Sequence, residues 1–255
     1  MGLRTTRAVV SKSMRMSNSS KLASLLTEHY GLVKVMGRGA RRPKSMLGAA
    51  LEPVTLIDCT YYHKDVREIQ TISSAEIIKP YLSLKDDLYL LAIASCMVEI
   101  SQTHTAVGDV SSKTFGLVMT ALDSLELSES HHAEKHLWRY VLQLLSEAGY
   151  RPALDACVKC GDKPKGTSVF FSYADGGMLC SCTEPDNRYG FRVSAGTLMV
   201  MNSLLGAADE ELPRLSIGKR QRKEVEKAVL QFLAYHSGSS RTLRSLAFMR
   251  KMEMS

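Results

Sequence analysis

Between residue 5 and about residue 77, apolar and polar positions alternate in short runs, the period-two pattern of half-buried strands. Strands are predicted near 5–14, 21–26, 32–36, 54–62 and 68–77. The segments "SNSS" (17–20), "EHYG" (28–31) and "HKDVR" (63–67) supply turns, and the longer "GRGARRPKSMLGAALEP" joins the third strand to the fourth. Five short strands with one long connection predict a small closed or nearly closed barrel of the OB type; a β-sandwich would normally need more strands.

Beyond Pro80 the period lengthens. Leu82, Leu84, Leu88, Leu91 and Ile93 lead into a helix through Ile100. A second helix is predicted over 112–127, with Phe115, Val118, Met119 and Leu122 on its apolar face, and a third over 134–148, carrying Leu137, Trp138, Val141 and Leu145. Gly149 is placed to stop the third. From Tyr150 to about Val193 the chain turns rich in Gly, Asp, Pro and Cys, with one strand-like run, "SVFFSY" (168–173). Helices resume at "AGTLMVMNSLL", which Ser194 can cap, and over 218–234 and 241–251. The expected fold class is α+β: a five-stranded OB-fold barrel over 1–79, then a mainly α-helical domain over 80–255 carrying a cysteine-rich insertion at about 150–193.

Composition fits this reading, since 45% hydrophobic and 23% charged residues in a chain of 255 are ordinary for a globular protein. The greasiest stretch, "LYLLAIASCMV", is broken by Ser95 and flanked by Asp87 and Glu99, so neither a membrane span nor a membrane partner is expected. The basic, acid-free opening "MGLRTTRAVVSKSMRMSNSS" has the look of a transit peptide, and "MGLRTT" fits the myristoylation pattern. Thr5, Thr6, Val9 and Val10 are β-branched and favour a strand there instead.

Charge changes the picture more. Residues 1–45 hold ten Lys or Arg against Glu28 alone, a balance of +9, while the remainder holds 23 cations against 25 acids, a balance of −2. The positive field therefore belongs to the N-terminal part, which points to a polyanionic partner. It is densest in "GRGARRPKS" (37–45), making Arg38, Arg41, Arg42 and Lys44 the first candidates for anion contacts and Lys12, Arg15, Lys21 and Lys34 secondary ones. Its glycines would permit close approach to a ligand and Pro43 would limit loop freedom. Tyr30, Tyr61 and Tyr62 could stack on bases or pack in the core. "GKRQRK" (218–223) reads as the solvated start of a helix.

Four of the six cysteines, Cys157, Cys160, Cys180 and Cys182, are spaced "CVKC", nineteen residues, "CSC". Two such pairs can close a tetrahedral Cys₄ site around a structural zinc ion, which suits a segment with too little apolar content to order itself by burial; a disulfide and a degenerate, empty site are the alternatives. Residues i and i+2 of an extended chain share a face, so the second pair can ligate although it is one residue short of C-x-x-C. Cys59 and Cys96 lie in apolar runs and read as buried small hydrophobes. In "HHAEKH" (131–136), His132 and His136 have i, i+4 spacing, but the stretch is not H-E-x-x-H and reads as a solvated helix start.

Motifs for catalysis are missing. "GRG" at 37–39 has Arg42 where a dinucleotide fingerprint needs its third glycine, "GK" at 218–219 is followed by Arg220, and neither G-x-S-x-G nor H-E-x-x-H occurs. The chain is expected not to be an enzyme.

Several stretches together carry a family resemblance. "LTEHYGLVKVMGRGARRPKS" followed by "LEPVTLIDCTYY", then "LLSEAGYRPALDACVKCG", "GGMLC" and "FLAYHSGSSRTLRSLAFM", resemble the RecO family of bacterial recombination-mediator proteins across nearly the whole chain. The most specific pieces are "GARRPKS" and "GYRPALDACVKCG"; the departure is "CSC", where a second C-x-x-C is usual. The resemblance implies an OB domain binding single- and double-stranded DNA, a helical domain, and a zinc element. It further implies annealing of complementary strands, association with RecR, contact with the acidic C-terminal tail of the single-strand binding protein SSB, and loading of RecA, in the bacterial cytoplasm at the nucleoid. The residues alone leave two rivals open: a zinc-stabilised module binding acidic proteins, and an RNA-binding accessory factor.

Overall fold

The computed structural model describes residues 2–105 and 112–237. The helix expected over 241–251 and the "RTLRSLAFM" stretch lie outside the described residues.

Five strands, β1 (Gly2–Arg15), β2 (Lys21–Thr27), β3 (Gly31–Gly37), β4 (Leu56–His63) and β5 (Ile69–Lys79), close a barrel in the order β1-β2-β3-β5-β4. β1 is long enough to serve two neighbours: Gly2–Val9 pairs with β4 and Ala8–Arg15 with β2, both antiparallel. An irregularity between Val10 and Lys12 bends it from one partner to the other. The parallel pairing of β3 with β5, Lys34↔Ile69 to Met36↔Thr71, completes the closure and leaves no open edge. Alternate residues point inward: Ala8 and Val10, Ala23 and Leu25, Val35, then Ile57, Cys59 and Tyr61, and Ile72 make the interior.

Within the long third connection lies a short helix, α1 (Met46–Ala50), which the sequence did not announce. Five residues containing a glycine have no helical periodicity to read, and the helix exists because Leu47, Ala50 and Leu51 pack into the barrel interior beside Ala40. The loop glycines serve this packing. A Cβ on Gly37 would stand 2.6 Å from Leu51 Cδ1, and one on Gly48 would stand 2.3 Å from the Ala40 carbonyl oxygen. Their close approach is thus to the protein's own chain. The fourth strand begins two residues later than expected because Val54 is held left-handed at φ 53, its N–H donating to the Val10 carbonyl at 2.8 Å.

Helices α2 (Leu82–Asp86), α3 (Leu88–Thr105) and α4 (Ser112–Glu126) follow. The expected single helix from Leu82 is broken at Asp87, which is extended and whose carboxylate caps α3 by accepting from the N–H groups of Tyr89 and Leu90 at 2.8 and 3.1 Å. By contacts the chain divides into two compact units, one running to Ser130 and including the barrel and α2–α4, the other beginning at His131.

The second unit is built on α5 (Ala133–Glu147), α6 (Ala195–Gly206) and α7 (Lys219–His236), which pack mutually, with a three-stranded sheet ordered β7-β6-β8 from β6 (Ser168–Ser172), β7 (Gly177–Leu179) and β8 (Gly190–Ser194). α5 ends as anticipated at Gly149, left-handed at φ 87: the N–H of Tyr150 returns to the Leu145 carbonyl at 2.7 Å and that of Gly149 to Ser146 at 3.1 Å. Ser194 caps α6, its Oγ accepting from the Thr197 N–H at 3.2 Å.

The "HHAEKH" stretch is solvated only at His131; from Ala133, where α5 begins, it is buried. Glu134, Lys135 and His136 are buried, because α7 and the 209–214 turn cover this face. Arg222 bonds Glu134 at 2.6 Å, and Lys135 Nζ donates to the Pro213 carbonyl at 3.1 Å. The "GKRQRK" stretch is the solvated start of α7, as expected, with Lys219, Arg220, Arg222 and Lys223 exposed; Arg222 alone reaches in to a buried carboxylate. Burial pushes the His136 pKa down to about 4, so its ring is neutral at ordinary pH.

Candidate nucleic-acid interface and metal site

The "GRGARRPKS" loop is a chain of tight turns: Ala40 N–H returns to the Gly37 carbonyl, Arg42 to Gly39, and Ser45 to Arg42. Gly39, at φ 72, supplies a left-handed position, and Lys44 occupies another at φ 63 without being a glycine. Arg41 stitches the loop to the β1–β2 turn, its N–H donating to the Ser19 carbonyl at 3.1 Å and its guanidinium to the Ser17 carbonyl at 2.7 Å.

Those turns bring sequence-distant cations together. One open groove is lined by Arg15 from the end of β1, Lys21 from the start of β2, and Arg41, Arg42 and Lys44 from the loop, with Glu52 as its acid. Glu52 is taken by Lys21, whose Nζ also donates to the Gly48 carbonyl at 2.9 Å, so this lysine ties β2 to α1. Arg15, Arg42 and Lys44 have no carboxylate partner among the described residues. Their uncompensated charge sits on a surface shaped by turns that the protein itself pins.

The other predicted cations lie elsewhere. Arg38 is exposed at the base of the loop and Lys12 is exposed on β1, neither lining the groove. Lys34 lies towards the opposite end of the barrel, paired with Glu68. Tyr61 is wholly buried in the interior, and Tyr30 and Tyr62 are partly exposed. The pairing of Lys21 with Glu52 and the tie from Arg41 to the 17–20 turn were beyond sequence reasoning; the β1–β2 hairpin pattern was the one signal that the turn and the loop base would be neighbours.

The cysteines converge. Sγ of Cys157 and Cys182 are 3.7 Å apart, those of Cys160 and Cys180 are 3.4 Å apart, and all four lie within 4.8 Å of one another. A disulfide needs about 2.05 Å, whereas four thiolates around an ion at about 2.3 Å stand about 3.8 Å apart, so the spacing is that of a tetrahedral metal site. The C-x-x-C turn ends on Gly161 at φ 78, and the Val158 N–H anchors it to the Met178 carbonyl of β7 at 3.0 Å. Gly177 is needed for this docking, since a Cβ there would meet the Ala153 carbonyl oxygen at 2.3 Å.

The short second pair does converge on the first, by a route other than the extended one expected. Cys180 leaves the end of β7 and the chain turns, so that the Cys182 N–H points at Cys180 Sγ, 3.3 Å away. Burial works against a thiolate at Cys157, but N–H groups of Cys180, Cys160 and Lys159 aimed at its sulfur prevail and bring its pKa down to about 6. The donor set could hold one soft metal ion. Cys59 and Cys96 are buried as expected, and burial raises the Cys59 thiol to about 12.

Comparison with known proteins agrees with the resemblance. Residues 1–81 match the family described as recombination protein O N terminal, and 85–247 match recombination protein O C terminal. The chain belongs to the RecO family. Among RecO relatives, a DNA repair protein RecO of Salinibacter ruber is 31% identical over 249 residues, covering 97% of this chain and 94% of the relative. One of Caldanaerobacter subterraneus subsp. tengcongensis is 32% identical over 234 residues, covering 91% and 92%. The RecO assignment supports a general role in recombination and DNA repair. No helix among the described residues is long and apolar enough to cross a membrane.

Proposed function

We propose that this chain is a non-catalytic recombination mediator whose barrel, an OB fold, binds single- and double-stranded DNA. In this reading it anneals complementary strands and, with RecR, helps to load RecA onto single strands coated by SSB, whose acidic C-terminal tail it contacts, in the bacterial cytoplasm at the nucleoid. The supporting observation is the groove where Arg15, Arg42 and Lys44 meet without acid partners. Cations on such a surface displace the counterions condensed on phosphates, and a shared cationic surface offsets the repulsion between two strands brought together for annealing. Arg41 lines the same groove and the exposed Arg38 and Lys12 add to the positive charge of the barrel, whereas Lys34, paired with Glu68 towards the other end, is the weakest of the predicted contacts. The cysteine cluster is read as one structural zinc site, with Cys157, Cys160, Cys180 and Cys182 as ligands and no open position for chemistry.

Fluorescence anisotropy of labelled single-stranded DNA, duplex DNA and RNA of equal length, over a salt series, tests the reading. Binding to DNA at low salt, weakening steeply as salt rises, is expected. An absence of DNA binding at low salt, or a clear preference for RNA, ends it.

A further inference from the structure

The two ends of the barrel are finished differently. At one end Leu47, Ala50 and Leu51 plug the interior. At the other, the inward alternation of β1, β4 and β5 runs on to Arg4, Tyr61, His63 and Gln70, so the apolar interior gives way to a polar and aromatic mouth. Tyr30, from the turn between β2 and β3, stands at this mouth. The Arg4 guanidinium lies on its ring 4.6 Å from the centroid, and its ring meets Tyr61 edge-on at 6.3 Å.

Several groups at this mouth lack the partners their chemistry calls for. Tyr61 is fully buried; its hydroxyl lies against the Arg4 guanidinium, which can only donate to it, and its own proton has no acceptor among the described residues. Arg4 and Arg67 form no ion pair among the described residues. Arg67 is held at the rim by buried Gln70, whose Nε2 donates to the carbonyls of Arg67 and Lys64 at 2.6 and 3.1 Å while its Oε1 accepts from the Lys64 N–H at 2.9 Å. The rim acids are engaged, Glu68 by Lys34 and Asp65 by His63 at 2.8 Å.

We propose that this mouth is a second anion site on the barrel, one that takes a phosphate group of a nucleic-acid strand separately from the groove beside the basic loop. The inference rests on the reading of the barrel as a nucleic-acid binder and adds where a second phosphate is held. Arg4 and Arg67 supply charge-assisted donors, the Tyr61 hydroxyl beside Arg4 supplies a proton that has no acceptor among the described residues, and the rings of Tyr30 and His63 flank the entry. One phosphate cannot serve both places. Arg4 and Arg15 are eleven residues apart on β1, about 36 Å of strand path at roughly 3.3 Å per residue. The group could be the 5′-terminal phosphate of a strand or an internal phosphodiester.

The test uses the full-length protein and two labelled oligonucleotides of one sequence, with a 5′-phosphate or a 5′-hydroxyl. Arg4→Ala is expected to weaken binding about tenfold, the worth of one charge-assisted hydrogen bond. Tyr61→Phe should weaken it about two- to fivefold with little change in the thermal midpoint, because the hydroxyl it removes has no acceptor for its proton among the described residues. A loss confined to the 5′-phosphorylated strand assigns the mouth to a strand end; a loss on both assigns it to an internal phosphate. Wild-type affinity for both strands in folded Arg4→Ala, or in Tyr61→Phe should Arg4→Ala not fold, overturns the proposal. If the wild-type protein binds neither strand while Arg42→Ala is equally inert, it is the nucleic-acid reading that fails.

Discussion

The carboxylate of Glu224 on α7 clamps Thr197 at the start of α6, accepting its hydroxyl at 2.6 Å and the neighbouring Ser194 N–H at 2.8 Å. Burial opposes ionisation of Glu224, but the bonds from Thr197, Ser194 and Arg220 outweigh it and hold its pKa at about 2, below the ordinary 4.5. A lowered carboxylate pKa contributes stability that is fully present above the unfolded value and is lost as pH falls through the folded one. The second unit should therefore weaken between about pH 4.5 and pH 2. Glu224→Gln should cost about 1–2 kcal/mol at neutral pH and flatten that acid limb, as read by urea unfolding across pH.

The metal site predicts a graded loss. Cys157→Ser should remove bound metal and lower the thermal midpoint of the second unit, because this buried sulfur also accepts the Cys180 N–H just beyond β7. Cys182→Ser should do the same if the short pair completes the site. Elemental analysis of purified variants checks both, and metal retained at the wild-type level in Cys182→Ser would remove that residue from the ligand set. Acidification should release the ion as protons compete for the thiolates.

Within the basic groove, charge and scaffold can be separated. Arg42→Ala and Arg15→Ala should each weaken DNA binding and reduce the slope of log affinity on log salt by about 0.7–0.9 per lost phosphate contact, with little change in stability. Lys21→Ala should show the reverse: its charge is already taken by Glu52, so the salt slope should hardly move, while loss of the Gly48 tie lowers the melting temperature.

Lys44 offers a further separation because its backbone is left-handed at φ 63 while its side chain is exposed. Lys44→Gly relieves that conformation and should leave stability equal or raise it by up to about 1 kcal/mol. DNA affinity should still fall. A Lys44→Gly protein less stable than Lys44→Ala would show that the left-handed backbone carries no strain.

The strands, most helices and the cysteine pairs were legible because each is written in short-range pattern: alternation along β1 and β4, the apolar stripe of α4, the Ser194 cap, the glycine stop at 149. Even α3 was visible, though its true start waited on how the Asp87 side chain capped it. The sequence by itself thus determined the five barrel strands and the longer helices, which thiols could share an ion, and that positive charge concentrates in the first 45 residues. Tertiary structure decided the rest. Only there does α1 form, does Glu134 meet Arg222, and do Arg15 and Lys44 share a groove while Lys34 is drawn off by Glu68. The physical reason is range. Backbone preference and hydrophobic period act over a few residues, whereas burial and ion pairing depend on which distant segments the closed barrel and the packed helices bring side by side.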